Sequence, residues 1–400
     1  GFEAFRGAIE SITGPLSTQA LASRIAGLYG GLVYFTPVFG GLIADRWLGH
    51  RNAVILGAIL MTLGHMAMAF EQSFLIALTC LVLGSGFLKG NITAQVGALY
   101  PADDVIRPAK GFTIFSAGIN VGAFTGSFFC GLAAQYYGFH VAFTIAGVFM
   151  LCGLATYLSG YKYLPSRVKP QKGQTEQPTD SSPTNLILIL AVLVVSIFHT
   201  ISYFQSLNIF PIWLQQHVAL DLGGFRIPIP WFLSSETLSS ISAAPILLIL
   251  WRWQARRGNE PTDTTKFAIA AALASAGYLV LTASTLIYGN APIPAIWPLL
   301  YTILIGYSFV YNWPTVLSLV SRIAPARINS TMMGIAFLTL FVSSNTVGWL
   351  AGFYEKMTPT AFWLMHAGIG AFGSGLVLLT APWINRRMRA TTKPATSLDV

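Results

Sequence analysis

The chain has 400 residues, 54% of them hydrophobic and only 9% charged, with a formal net charge of +9 and a mean hydropathy of +0.63. Soluble domains carry about 25% charged residues, so this composition excludes a soluble enzyme, a disordered chain, a collagen and a coiled coil. At about 20 apolar residues per crossing, there is room for roughly a dozen membrane helices.

Apolar runs separated by short polar breaks lie at 1–16, 20–46, 52–70, 73–98, 110–135 and 138–162. After a polar stretch they resume at 185–216, 229–253, 266–288, 294–323, 329–354 and 359–384. The expectation is an all-α membrane protein of twelve helices in two sixes. Residues 1–164 form an N-terminal bundle, 165–184 a cytoplasmic linker, 185–385 a C-terminal bundle and 386–400 a cytoplasmic tail. The linker is rich in Pro, Gln, Ser and Thr and cannot bury a core. The first run rises only about 24 Å, so the chain is read as opening inside helix 1.

Lys and Arg set the orientation. The breaks after helices 2, 4, 6, 8 and 10, with the C-terminus, hold most of the 23 basic residues, among them Arg46, Arg51, Arg107, Lys110, Arg167, Arg256, Arg257, Arg322, Arg386 and Arg387. The positive-inside rule places these breaks and both termini in the cytoplasm. The positive balance is therefore a topology signal, and no nucleic acid is required. Cys80, Cys130 and Cys152 have no paired spacing and read as small apolar residues.

The break after helix 2 runs Gly40-Gly41-Leu42-Ile43-Ala44-Asp45-Arg46, with Arg51 following. The glycines allow a close backbone approach. Asp45 sits at a helix end beside cations, where it can bridge to a neighbouring helix; the alternative reading is an ordinary charged loop. The pattern resembles the cytoplasmic latch of the major facilitator superfamily.

Ionisable groups inside apolar runs are functional candidates. Lys89 lies in the middle of helix 4, too far from either end to snorkel, so its ammonium needs a counter-ion, water or an anionic ligand. Glu236 lies early in helix 8. Glu3 and Arg6 are three apart on helix 1 and can neutralise each other, while Glu10 reads as interfacial. His199 lies in helix 7 among apolar residues, either packed or a proton carrier. Gly368, Gly370 and Gly373 imitate a dinucleotide fingerprint but lie inside helix 12 with no strand before them, so close helix packing is expected. The six histidines are scattered singly, and neither a metal cluster nor a nucleophile with a base is recognisable. A membrane-embedded enzyme acting on lipid or peptide is thus disfavoured, and no cofactor is expected.

Motifs over most of the chain resemble the proton-dependent oligopeptide transporter family, a branch of the major facilitator superfamily. Leu32-Val33-Tyr34-Phe35-Thr36-Pro37 is similar to its helix 2. Gly86-Phe87-Leu88-Lys89-Gly90-Asn91 is similar to its helix 4 lysine motif, with Gly90 where proline is usual. Gly111 to Phe124 resembles its helix 5 signature, and Ile323 to Arg327 with Met332-Met333-Gly334 its helix 10–11 junction.

The resemblance implies proton-driven import of di- and tripeptides by a monomer in a bacterial inner membrane. It implies that Lys89 meets the peptide carboxylate, that Tyr34 lines the pocket and that Asn120 hydrogen-bonds the peptide. Asp45 and Arg46 would belong to the latch. Helix 10 departs from the family in having no acid between Gly306 and Pro314, and helix 7 has none between Asn185 and Leu220. Glu236 falls where the family has an asparagine, and is expected to replace the missing acid as the amine partner. Ala336 replaces a pocket tryptophan, leaving Trp313 and Phe337 as pocket aromatics. Glu3 and His199 are expected at an outer gate. Nitrate or a drug on the same fold is the alternative cargo.

Overall fold

A run of apolar residues placed in lipid must satisfy its own backbone, and the helix does so within one segment. The computed structural model describes residues 2–99, 106–164, 183–323 and 329–392. Its helices are α1 (Phe2–Thr13), α2 (Thr18–Ile43), α3 (His50–Ala67), α4 (Phe74–Ala98), α5 (Ile106–Tyr137) and α6 (Phe139–Ser159) in the first half. The second half supplies α7 (Pro183–Gln205), α8 (Ile209–His217), α9 (Pro230–Arg256), α10 (Asp263–Tyr288), α11 (Ile296–Ile323), α12 (Asn329–Leu350) and α13 (Pro359–Thr392). The expected seventh run is broken between α7 and α8, so the thirteen helices among the described residues correspond to the twelve expected runs. Ten spans, counting α7 and α8 as one, are long and apolar enough to cross a bilayer among the described residues. With ten such spans the chain is a multi-pass membrane protein.

Two compact units emerge. One holds α1 to α6 with Leu220–Ser234 and Ser344–Phe353; the other holds α7 and α8, Ser235–Ser343 and the chain from Tyr354 onward. In the first, Ser344 Oγ donates to Gly27 O at 2.9 Å. A Cβ on Gly27 would stand 2.7 Å from Ser344 O, so only glycine permits this approach. Trp231 stacks on Phe128 at 4.5 Å and its Nε1 donates to Phe128 O. In the second, Leu188, Val192, Phe267, Val316, Leu319, Val320 and Val377 form a buried apolar core.

Short strands decorate the second half. Asp221–Leu222 and Phe225–Arg226 pair antiparallel around Gly223 and Gly224, whose φ angles of 57° and 91° suit a two-glycine hairpin turn. Val218–Ala219 pairs parallel with Ile293–Pro294.

The Gly368/Gly370/Gly373 pattern is a packing device at two of its three positions. Cβ atoms on Gly370 and Gly373 would meet Ser275 at 3.1 Å and Phe198 at 2.7 Å, whereas Gly368 faces open space.

Candidate functional site

Lys89 is positioned by the packing of α4 on α2. Pro37 interrupts α2 and withdraws the N–H that Val33 O would accept; Ser85 Oγ of α4 donates to that carbonyl at 3.5 Å. Thr36 Oγ1 donates to Val82 O at 3.0 Å, and Asn91 Nδ2 to Phe87 O at 2.8 Å and Gly40 O at 3.3 Å. Small residues permit this approach: a Cβ on Gly86 would fall 2.9 Å from Thr36. Tyr34 and Lys89 thereby meet, with Lys89 Nζ 4.7 Å from the centre of the Tyr34 ring. Such a contact is worth about 0.5–2 kcal/mol. No carboxylate lies within ion-pair distance of Lys89 among the described residues. The ammonium is held against the Tyr34 ring.

Glu236 is built into the other unit. Its residue is 4% exposed. Ser240 Oγ, one turn along α9, donates to Glu236 Oε1 at 3.3 Å and also to Gly306 O of α11 at 3.1 Å. Tyr203 of α7 supplies a further hydrogen bond to the carboxylate. Gly306 lets α11 approach so closely that a Cβ there would stand 2.7 Å from Glu236 O. Ser235 Oγ and Thr302 Oγ1 tie the same helices at 2.8 Å. Hydroxyls surround the acid, and no cation pairs with it among the described residues. Trp313 and Phe337 meet in this unit with ring centres 5.5 Å apart. Asn120 is exposed on α5.

The structure redistributes several expected pairings. Arg6 pairs with Glu10, not with Glu3, at 3.0 Å. Glu10 also accepts from Leu16 N at 3.3 Å, which fixes the acid toward the later turn. Glu3 is exposed on α1, a helix without a buried residue. His199 is buried, with its Nε2 2.5 Å from Ser308 Oγ.

The latch residues form a π-turn over Ala44–Leu48, closed by Gly49 at φ 74°. Asp45 Oδ1 is 3.1 Å from His50 Nε2, so its recorded partner is the first residue of the next helix, α3. Arg46 is exposed. Arg51 Nη2 donates to Leu164 O and its guanidinium lies 4.3 Å from the Tyr161 ring centre, tying the break after α2 to the end of α6. Only one of the two expected contact glycines makes contact: a Cβ on Gly40 would meet Gly86 O at 2.2 Å, whereas Gly41 faces open space. Gly40→Ala is therefore expected to cost about 1–3 kcal/mol through overpacking. Gly41→Ala should stay within about 0.5 kcal/mol. Thermal unfolding of the two variants in one detergent checks the difference.

Tyr203, Ser240 and Ser308 are the site residues to which sequence reasoning assigned no role. A serine-rich turn around an acid, Ser234-Ser235-Glu236 with Ser239-Ser240, was a usable signal for Ser240. Ser308 carried none.

Comparisons agree with this architecture. The pattern described as Major Facilitator Superfamily matches residues 4–349. The uncharacterized transporter YclF of Bacillus subtilis is 28% identical, covering 95% of this chain and 89% of that protein. A di-/tripeptide transporter of Lactococcus lactis subsp. cremoris is 26% identical, covering 90% and 86%. Among solved structures, a peptide transporter POT in complex with sulfate superposes with a TM-score of 0.83 at 26% identity, covering 92% of this chain and 87% of that one. The chain thus belongs to the major facilitator superfamily, as a transporter of its proton-dependent oligopeptide transporter branch.

Proposed function

We propose that this chain imports di- and tripeptides together with protons, as a monomer in a bacterial inner membrane with both termini in the cytoplasm. The observation that carries the reading is Lys89, a membrane-embedded ammonium held over Tyr34 with no carboxylate partner among the described residues. A peptide C-terminus supplies the missing anion. Glu236, enclosed by hydroxyls and without a paired cation among the described residues, takes the peptide ammonium. Peptide transport by the Lactococcus relative supports the cargo. Asn120 hydrogen-bonds the peptide, and Trp313 and Phe337 flank its side chains.

Purified protein in liposomes is expected to accumulate a labelled dipeptide when an inward proton gradient and an inside-negative potential are imposed. Without them only equilibration is expected. Accumulation of nitrate or a drug in place of the dipeptide would assign the other cargo, which the acid-free stretch Gly306–Pro314 of α11 allows.

A further inference from the structure

α9 leaves its apolar stretch through Trp251-Arg252-Trp253-Gln254-Ala255-Arg256-Arg257. Gly258, at φ 70°, ends the helix in the left-handed turn that glycine favours. Arg257 N donates to Gln254 O at 3.0 Å and Asn259 N donates to the same carbonyl at 2.9 Å. Arg256 and Arg257 are thereby fixed on the closing turn.

The two tryptophans have different neighbours. Trp251 is half-buried, with its ring centre 5.5 Å from that of Tyr311 on α11. Lys266 of α10 lies over Trp251 at 4.4 Å and is paired with Glu260 at 3.2 Å, so this cation is neutralised. Trp253 is exposed, and the Arg257 guanidinium lies 3.9 Å from its ring centre. A guanidinium held by its face against a ring still has N–H donors along its edge. Such an edge matches two oxygens of a phosphate.

Arg252 and Arg256 stand one helical turn apart, and Arg257 follows. All three are exposed, and none is paired with a carboxylate among the described residues. Like charges at this spacing repel one another. An anion that bridges them removes a cost already present in the free protein. The nearest acid in sequence, Glu260, is taken by Lys266.

An apolar stripe leads to these arginines. Ile246, Ile249, Leu250 and Trp253 are exposed at i, i+3, i+4 and i+7, which is one helix face, and Arg257 continues the line at i+11. From Ile246 to Arg257 the rise is about 16 Å, half of a hydrocarbon core of about 30 Å. The stripe therefore fits one leaflet, with the arginines at its headgroup end. A topology signal needs only the positive charge. It needs neither the stacked guanidinium nor the alignment of the stripe with it. A zwitterionic lipid satisfies the stripe alone, whereas an anionic one satisfies both parts.

We propose that this end of α9 is a binding site for an anionic phospholipid. Arg256 and Arg257 bridge its phosphate with Arg252 alongside, and an acyl chain lies on the Ile246–Trp253 stripe. The site goes beyond the peptide reading and does not depend on it.

The test is lipid binding to the purified full chain in detergent, measured by native mass spectrometry with phosphatidylglycerol and phosphatidylcholine of identical acyl chains. The parent is expected to bind phosphatidylglycerol about tenfold more tightly or better. A basic side chain near an anionic headgroup contributes roughly fivefold in affinity. Arg256→Gln and Arg257→Gln are each expected to lose about that factor toward phosphatidylglycerol. The combined Arg252→Gln, Arg256→Gln and Arg257→Gln variant is expected to lose the preference and to bind phosphatidylcholine as the parent does. Lys162→Gln removes an exposed cation after α6 and is expected to bind both lipids like the parent. Excess inorganic phosphate is expected not to displace the lipid, because it cannot use the stripe. Equal binding of the two lipids by the parent, a preference that survives in the combined variant, an equal loss in Lys162→Gln, or displacement by inorganic phosphate would each overturn the site.

Discussion

Replacing Lys89 with alanine is expected to reduce gradient-driven dipeptide uptake to the level of protein-free liposomes. The side chain projects from a membrane-spanning helix and its ammonium rests on the Tyr34 ring at 4.7 Å. An aromatic face balances only part of the cost of placing a cation there. The remainder is recovered when a carboxylate arrives. Truncating one partner of a desolvated charge pair costs about 2–5 kcal/mol, which is a loss of roughly 30-fold or more at 1.4 kcal/mol per decade. Lys89→Arg keeps the charge but presents a planar fork where a compact ammonium sat, so intermediate uptake is expected. Counterflow exchange separates the two roles a lysine here can have. If Lys89 binds the peptide, both exchange and accumulation fail in Lys89→Ala. Parent-like accumulation in that variant would remove Lys89 from the site.

Helix positions were legible because burial in lipid imposes a length. The expected run 73–98 and the observed α4 at Phe74–Ala98 differ by one residue, and most others by a few. The break between α7 and α8 was not legible: Ser206, Leu207 and Asn208 are no more polar than residues within other helices, and the turn is fixed by packing around buried Ile209 and Phe210. Lys89 and Glu236 stood out because a lone charge in an apolar run has no cheap explanation.

The pairings between side chains had no local signal, and Tyr34 itself was named only through the family resemblance. Tyr34 and Lys89 are 55 residues apart in sequence (89 − 34), and Ser308 is 109 from His199. Such pairs depend on which helices become neighbours, which no local period encodes. The helix 1 pairing failed for a different reason. Arg6 has an acid three residues before it and another four residues after it, and helix geometry permits both. The choice of Glu10 is made by Leu16 N, whose bond to Glu10 Oε1 depends on how the chain turns after α1.

Glu236→Gln is the sharpest test of how the amine end of a substrate is recognised. The substitution preserves shape, and the amide oxygen can still accept from Ser240, so the α9–α11 packing around Gly306 is expected to survive. Only the charge is lost. A bond between an ammonium and a carboxylate contributes about 1.5–3 kcal/mol, so the apparent affinity for a free-amine dipeptide should fall by about 10- to 150-fold at 1.4 kcal/mol per decade. An N-acetylated dipeptide has no ammonium to lose, and its weaker binding should change by less than about twofold, as expected for a site whose remaining groups are undisturbed. The comparison is internal to one protein preparation, so a general loss of folded transporter lowers both signals and leaves their ratio intact. Competition of each unlabelled peptide against one labelled substrate gives that ratio directly. Equal losses for the two peptides would show that Glu236 serves the fold or the proton, and that the ammonium is met elsewhere.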